Sequence, residues 1–256
     1  MRPSVGSVAT LLAVACAAYF AADISHEALG HGGACMLLGG KSVLLSTTYE
    51  ACSIRSRLID GAGPVAGIAA AVLAWTWLRL AQPKTIAARA FLCLTFAFAI
   101  FWNVGYLIKS GLTDQGDWAF VIAGFEPSWA WHTGLTALGI VLYGAMMRLL
   151  GAAIVRNFSP NGEHGLRPLS FALTAYLAAG LLSAAGAFFD PRGASTILTD
   201  ALPSSLGSIG LVWVGYRLNK RRPDLRIDIP CAPGWILAGL VCAVFFVAIL
   251  GPGLRF

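Results

Sequence analysis

Apolar residues along this chain come in blocks of roughly 20 with few charges inside, the length that crosses a ~30 Å hydrocarbon layer at about 1.5 Å per helical residue. The first block begins near Val5 and continues through Ala21. Others run from about Ile59 to Leu80, Ala87 to Ile108, Trp131 to Leu150, Pro168 to Phe189, Ile197 to Tyr216 and Trp235 to Leu250. Pro83 and Lys84 close the second block, as helix ends require. Between the first two blocks, residues 41 to 57 alternate polar and apolar positions with β-branched Val43, Thr47, Thr48 and Ile54, the pattern of a short hairpin outside the hydrocarbon. The stretch from Lys109 to Pro127 is too polar at first and too short afterwards to cross, and reads as a loop holding a short in-plane or re-entrant helix. The pattern predicts an all-α integral membrane protein of about seven transmembrane helices, with a short β-hairpin after the first helix.

Composition agrees: 57% of the residues are hydrophobic and 12% charged, against about 25% charged in an ordinary soluble domain. The net charge of +6 does not form a basic stripe with interleaved aromatics, so nucleic acid is not an expected partner and membrane lipids are the counter-charge. On the seven-span count, eleven basic residues fall on the N-terminal side and six on the other, which favours a cytoplasmic N-terminus in a multi-pass protein of the cell membrane. Arg2 and the apolar run to Ala22 have the form of a signal peptide, but the later spans suit a retained first helix better. Of six cysteines, only Cys35 and Cys52 are placed to bridge, which requires an oxidising compartment.

Chemistry is concentrated where the first helix should be greasy. There the chain reads His26-Glu27-Ala28-Leu29-Gly30-His31, with Asp23 just before. Random placement would give HExxxH in about one chain in a thousand of this composition. The bland alternative is a polar helix end meeting interfacial water, yet ionisable groups in such a helix are costly and usually functional. Zincins space their histidines i and i+4, whereas these are i and i+5, and on an ideal α-helix the second imidazole would sit about 140° round from the first. A π-bulge, with its i to i+5 hydrogen bond, would return both to one face, and Gly30 would ease it.

The stretch Ser25 to Ala34, ending a first transmembrane helix and followed by Leu38-Gly39-Gly40 and a hairpin, resembles the first motif of the site-2 protease family of intramembrane zinc metalloproteases. Ala62-Gly63-Pro64 resembles that family's Gly-Pro element, although Gly67 stands where the family has Asn. The extra residue between the histidines departs from the family, while the soluble dipeptidyl peptidase III family is similar in having HExxGH. The resemblance covers about residues 5 to 120. It implies a metalloprotease membrane core in residues 1–120, with additional transmembrane helices in 121–256, and an active site nearer the cytosolic face, opposite to the charge count.

The resemblance further implies a third zinc ligand after the third helix. Asp117 is the expected ligand, with Asp114 as the alternative, and a solvated turn at Gln115-Gly116 is the plain reading of both. Glu27 is then the expected catalytic base, His26 and His31 the Zn2+ ligands, and Asn103 a substrate or oxyanion contact. The function implied is hydrolysis of peptide bonds in membrane-protein or peptide substrates. The rival is a non-enzymatic multi-pass membrane protein, a transporter or assembly factor whose polar residues line a pathway. A third reading keeps the zinc but hydrolyses something other than a peptide. His132, beside Trp129 and Trp131, reads as an interfacial residue, and His164 as part of a solvated loop.

Overall fold

A computed structural model describes residues 4–158 and 165–256; His164 lies outside the described residues. Helix α1 (Val5–Ile24) starts at a Ser4 side chain that accepts from the Ser7 amide. It passes without a break into a π-helix, π1 (Ser25–Gly32), and a short α2 (Gly33–Leu37). Strands β1 (Ser42–Leu45) and β2 (Glu50–Cys52) form the hairpin. Helices α3 (Arg57–Leu80) and α4 (Ile86–Thr113) follow, capped by Ser56 and Thr85. A short α5 (Asp117–Ile122) precedes α6 (Ser128–Asn157) and α7 (Pro168–Phe188). The chain then forms π2 (Ile197–Ala201), α8 (Leu202–Leu206), α9 (Ile209–Arg221), α10 (Pro233–Phe245), π3 (Phe246–Leu250) and β3 (Leu254–Arg255).

Seven of these helical stretches are long and apolar enough to cross a membrane, which makes this a multi-pass membrane protein by length and composition. Helix α4 is the central one: 72% of its most apolar window is buried, against 17 to 50% in the other six. Its Phe98, Phe101 and Leu94 pack among Tyr19 of α1 and small residues such as Ala71 of α3. Helix α6 outruns the expected Trp131 to Leu150 at both ends: its 30 residues reach about 45 Å, longer than a ~30 Å hydrocarbon layer, and the turn past Leu150 carries the polar Arg156.

Two details at one end of the bundle position the site. The hairpin is the predicted one, but it belongs to a three-stranded sheet of order β2-β1-β3, in which β1 pairs antiparallel with both neighbours. A Cys35–Cys52 disulfide ties α2 to β2. The turn of the hairpin is held from the other side, where Thr48 Oγ1 and Ser46 Oγ donate to Asp190 Oδ2 at 2.5 and 3.0 Å. Arg192 Nη2 donates to Thr48 Oγ1 at 2.6 Å and lies 3.4 Å from Asp200 Oδ2. Burial raises the Asp190 carboxyl, but hydrogen bonds from Arg192 and Thr48 and the Arg192 charge outweigh it and hold the group below its ordinary value.

Candidate metal centre

The eight residues of π1 are where the HExxxH spacing falls. The wider turn brings His31 back over His26, so their Nε2 atoms stand 3.2 Å apart and their ring planes are nearly perpendicular, at 78°. Glycine makes this possible by close approach. A Cβ on Gly30 would lie 2.5 Å from Gly63 Cα, so the backbones of π1 and α3 touch at these two residues. A Cβ on Gly63 would in turn lie 2.2 Å from His31 Nε2. The Gly-Pro element of α3 is therefore the floor on which the second histidine rests.

The outer nitrogens fix the tautomers. His31 Nδ1 lies 2.8 Å from the Ile59 carbonyl, which only accepts, so this nitrogen carries the proton. His26 Nδ1 donates to Asn103 Oδ1 at 2.8 Å; the Asn103 amide nitrogen points the other way, donating to the Ala99 carbonyl at 2.7 Å. In neutral imidazoles both Nε2 atoms then carry lone pairs, and they face one another in a buried site. Asp117, the first residue of α5 after Gly116 at φ 91°, adds a third donor. Its Oδ2 is 3.1 Å from His26 Nε2 and its Oδ1 is 3.7 Å from His31 Nε2, while Oδ2 is buried with no hydrogen bond.

His26 Nε2 thus stands 3.2 Å from His31 Nε2 and 3.1 Å from Asp117 Oδ2, and Asp117 approaches His31 Nε2 through its other oxygen, Oδ1, at 3.7 Å. A tetrahedral zinc at about 2.0–2.1 Å from each ligand separates ligand atoms by about 3.3 Å, so the residues present fit the ion. Glu27 Oε1 lies 3.9 Å from His26 Nε2, beside the triangle and outside its edges, and its residue is buried. Glu27, His26 and His31 each offer a ligand atom within 4.8 Å of the others. The outer-nitrogen bonds to Ile59 and Asn103 are the second layer of contacts that orients imidazole ligands in zinc sites.

The two loop aspartates separate clearly. Asp114 is exposed, with its Oδ1 3.7 Å from His132 Nε2, so the alternative ligand belongs to a surface pair with the histidine read as interfacial. Asn103 lies fully buried beneath His26 with both ends of its amide bonded, where the sequence reading has it touching substrate. It holds the His26 ring instead. Gly67 makes room for it: a Cβ there would stand 2.1 Å from Asn103 Nδ2, which explains why the position carries no side chain. Trp102 stacks on the His26 ring at 4.5 Å between centroids.

The donor triangle opens into a cleft of about 610 Å³. Its lining includes Tyr49 and Glu50 of the hairpin, Arg192, whose guanidinium lies 4.6 Å over the Tyr49 ring, Asp200, and Lys109 near the end of α4. Sequence reasoning missed Glu50 and Arg192, which reach the cleft only through the folding of distant segments, and Asp190, which holds the hairpin turn and Arg192 behind it. Burial pushes the Glu50 carboxyl above its ordinary value. Asp23, one helical turn before Glu27, is buried with both carboxylate oxygens lacking a hydrogen bond; its place in an apolar run was the available signal. No protein family, curated protein or solved structure matches the chain.

Proposed function

We propose that this chain is an intramembrane zinc metalloprotease of the cell membrane, hydrolysing peptide bonds of membrane-associated substrates. One observation carries the reading: the Nε2 atoms of two buried histidines, whose outer nitrogens are both engaged, and a carboxylate oxygen of Asp117 meet at zinc-ligand spacing, with Glu27 alongside. Lone pairs so placed repel one another unless a cation lies between them. The resemblance of residues 5 to 120 to the site-2 protease family supports the same reading.

Bound zinc would lower the pKa of a water and polarise the scissile carbonyl. His26, His31 and Asp117 would hold the metal, and Asn103 and the Ile59 carbonyl hold the two rings. Glu27 takes the proton of the attacking water as the oxygen–carbon bond forms, then gives it to the leaving amine as the carbon–nitrogen bond breaks. A peptide in the cleft lies against Glu50 and the stacked pair of Tyr49 and Arg192.

The test is peptidase activity of the purified protein on transmembrane and unfolded peptides, beside Glu27→Gln. General-base loss should lower the rate by about 10²–10⁴-fold while zinc content stays unchanged. Equal activity in the variant refutes the role of Glu27. A zinc-loaded wild type inert on every peptide favours another hydrolase, and a metal-free one favours the transporter or assembly-factor rival.

A further inference from the structure

At the end of the bundle away from the metal centre, α6 and α9 enclose a groove of about 790 Å³ lined by Arg148, Arg156, Arg217 and Arg221. The two helices run in the same direction. Tyr143 of α6 donates to the Gly207 carbonyl at 2.7 Å and accepts from the Gly210 amide at 2.8 Å, and further along a Cβ on Gly151 would meet Val214 Cγ1 at 3.7 Å. Their C-terminal ends therefore lie at one level, with Arg148, Ala152 and Arg156 on one face of α6 and Arg217 and Arg221 one turn apart on α9. Arg89 at the start of α4 donates to the Asn157 carbonyl, which places this level beside the first turn of α4, far from Asn103.

Four guanidinium groups around one groove repel each other, and among the described residues none has a carboxylate within salt-bridge distance; the arginine ion pairs there belong to Arg192 and Arg222. Apolar side chains line the rest of the groove, Met147 and Trp213 towards the middle of the span and Val155 and Leu218 beside the arginines, with Gly144 and Gly151 leaving the space. All four arginines are exposed on α6 and α9, and only 22% of the α6 apolar window is buried, so the groove opens towards lipid. An anion that carries its own apolar chain satisfies both halves at once.

We propose that this groove binds an anionic phospholipid, with the phosphate among the four arginines and an acyl chain along the apolar wall. Basic pockets between transmembrane helices suit such headgroups, and the basic side of the bundle is the one the charge bias assigns to the cytoplasmic leaflet. The site does not depend on the metal centre.

The test uses the full chain in phosphatidylcholine nanodiscs, with phosphatidylglycerol binding measured by native mass spectrometry. Phosphatidylglycerol should bind in preference to phosphatidylcholine, and glycerol phosphate, the same anion without a tail, should not bind. Arg148→Gln with Arg217→Gln should weaken phosphatidylglycerol binding about thirtyfold. Arg79→Ala with Arg222→Ala, outside the groove, should leave it unchanged, and circular dichroism should show every variant helical. Because native mass spectrometry counts lipid on folded protein, the smaller Arg148→Gln change alone, expected to cost about fivefold, carries the test if the double variant unfolds. Equal binding of phosphatidylcholine, tight binding of glycerol phosphate, or unchanged phosphatidylglycerol binding in the folded variants would overturn the proposal.

Discussion

Replacing Gly63 by Ala tests the architecture of the centre without touching a ligand. The new methyl would stand 2.2 Å from His31 Nε2, 2.5 Å from its Cε1 and 2.7 Å from its Cδ2. Ordinary contact needs more than 1 Å of extra room. Helix α3 can supply it only by parting from Gly30 and drawing the Ile59 carbonyl away from His31 Nδ1. The ring must turn out of the triangle or the two helices must part. Overpacking of this kind costs about 1–3 kcal/mol, partly offset by up to about 1 kcal/mol from the better helix propensity of Ala. The larger effect falls on the metal: misdirecting a ligand ring should weaken zinc binding at least as much as losing its outer contact, about 10–100-fold. Chelator-competition titration of purified Gly63→Ala, with thermal unfolding in parallel, measures both. Gly134→Ala on α6, where a Cβ meets nothing within 4 Å, serves as the control and should bind zinc normally. Wild-type zinc affinity in a folded Gly63→Ala would refute the packing argument.

The Cys35–Cys52 disulfide lies on the same end of the bundle as the centre, and such bonds persist in oxidising compartments. With the charge bias, this leads us to expect the site on the side away from the cytosol, opposite to what the site-2 resemblance implies. In intact cells, an impermeant maleimide should label Cys35 and Cys52 only after reduction by an impermeant phosphine; labelling before reduction would show that the pair is not bonded, and labelling only after the membrane is permeabilised would reverse the orientation. The lowered Asp190 carboxyl contributes stability above about pH 4, its ordinary unfolded range, and loses it as pH falls through the lower folded value. Asp190→Asn should therefore flatten the acid limb of a Tm-against-pH curve, and an unchanged limb would count against the Arg192–Asp190–Thr48 link.

How much of this was legible in the sequence follows from which interactions are local. The spans were, because an apolar run of helical length states its own solvent, and π1 was, because an i to i+5 histidine pair on one helix has only that way to meet. Strand β3 was not, since two residues at Leu254 and Arg255 carry no alternation and pair only because the chain returns to β1. Asn103 was found but given the wrong neighbour. Its place under His26 depends on the missing side chain at Gly67, a fit between two helices that no spacing along one helix reveals. Arg192 stood in the sequence as one more charge, and only the turn of the hairpin at Thr48 brings it to the cleft.

The central claim is that His26, His31 and Asp117 grip one zinc ion, and zinc stoichiometry with X-ray absorption at the zinc edge tests it most directly. Wild type and Asp114→Asn should each hold one zinc per chain, with two imidazole nitrogens and carboxylate oxygen at about 2.0–2.2 Å, while His26→Ala and Asp117→Asn lose it. A wild type that takes up no zinc on titration, or an Asp117→Asn that binds it with the same shell, would contradict the account.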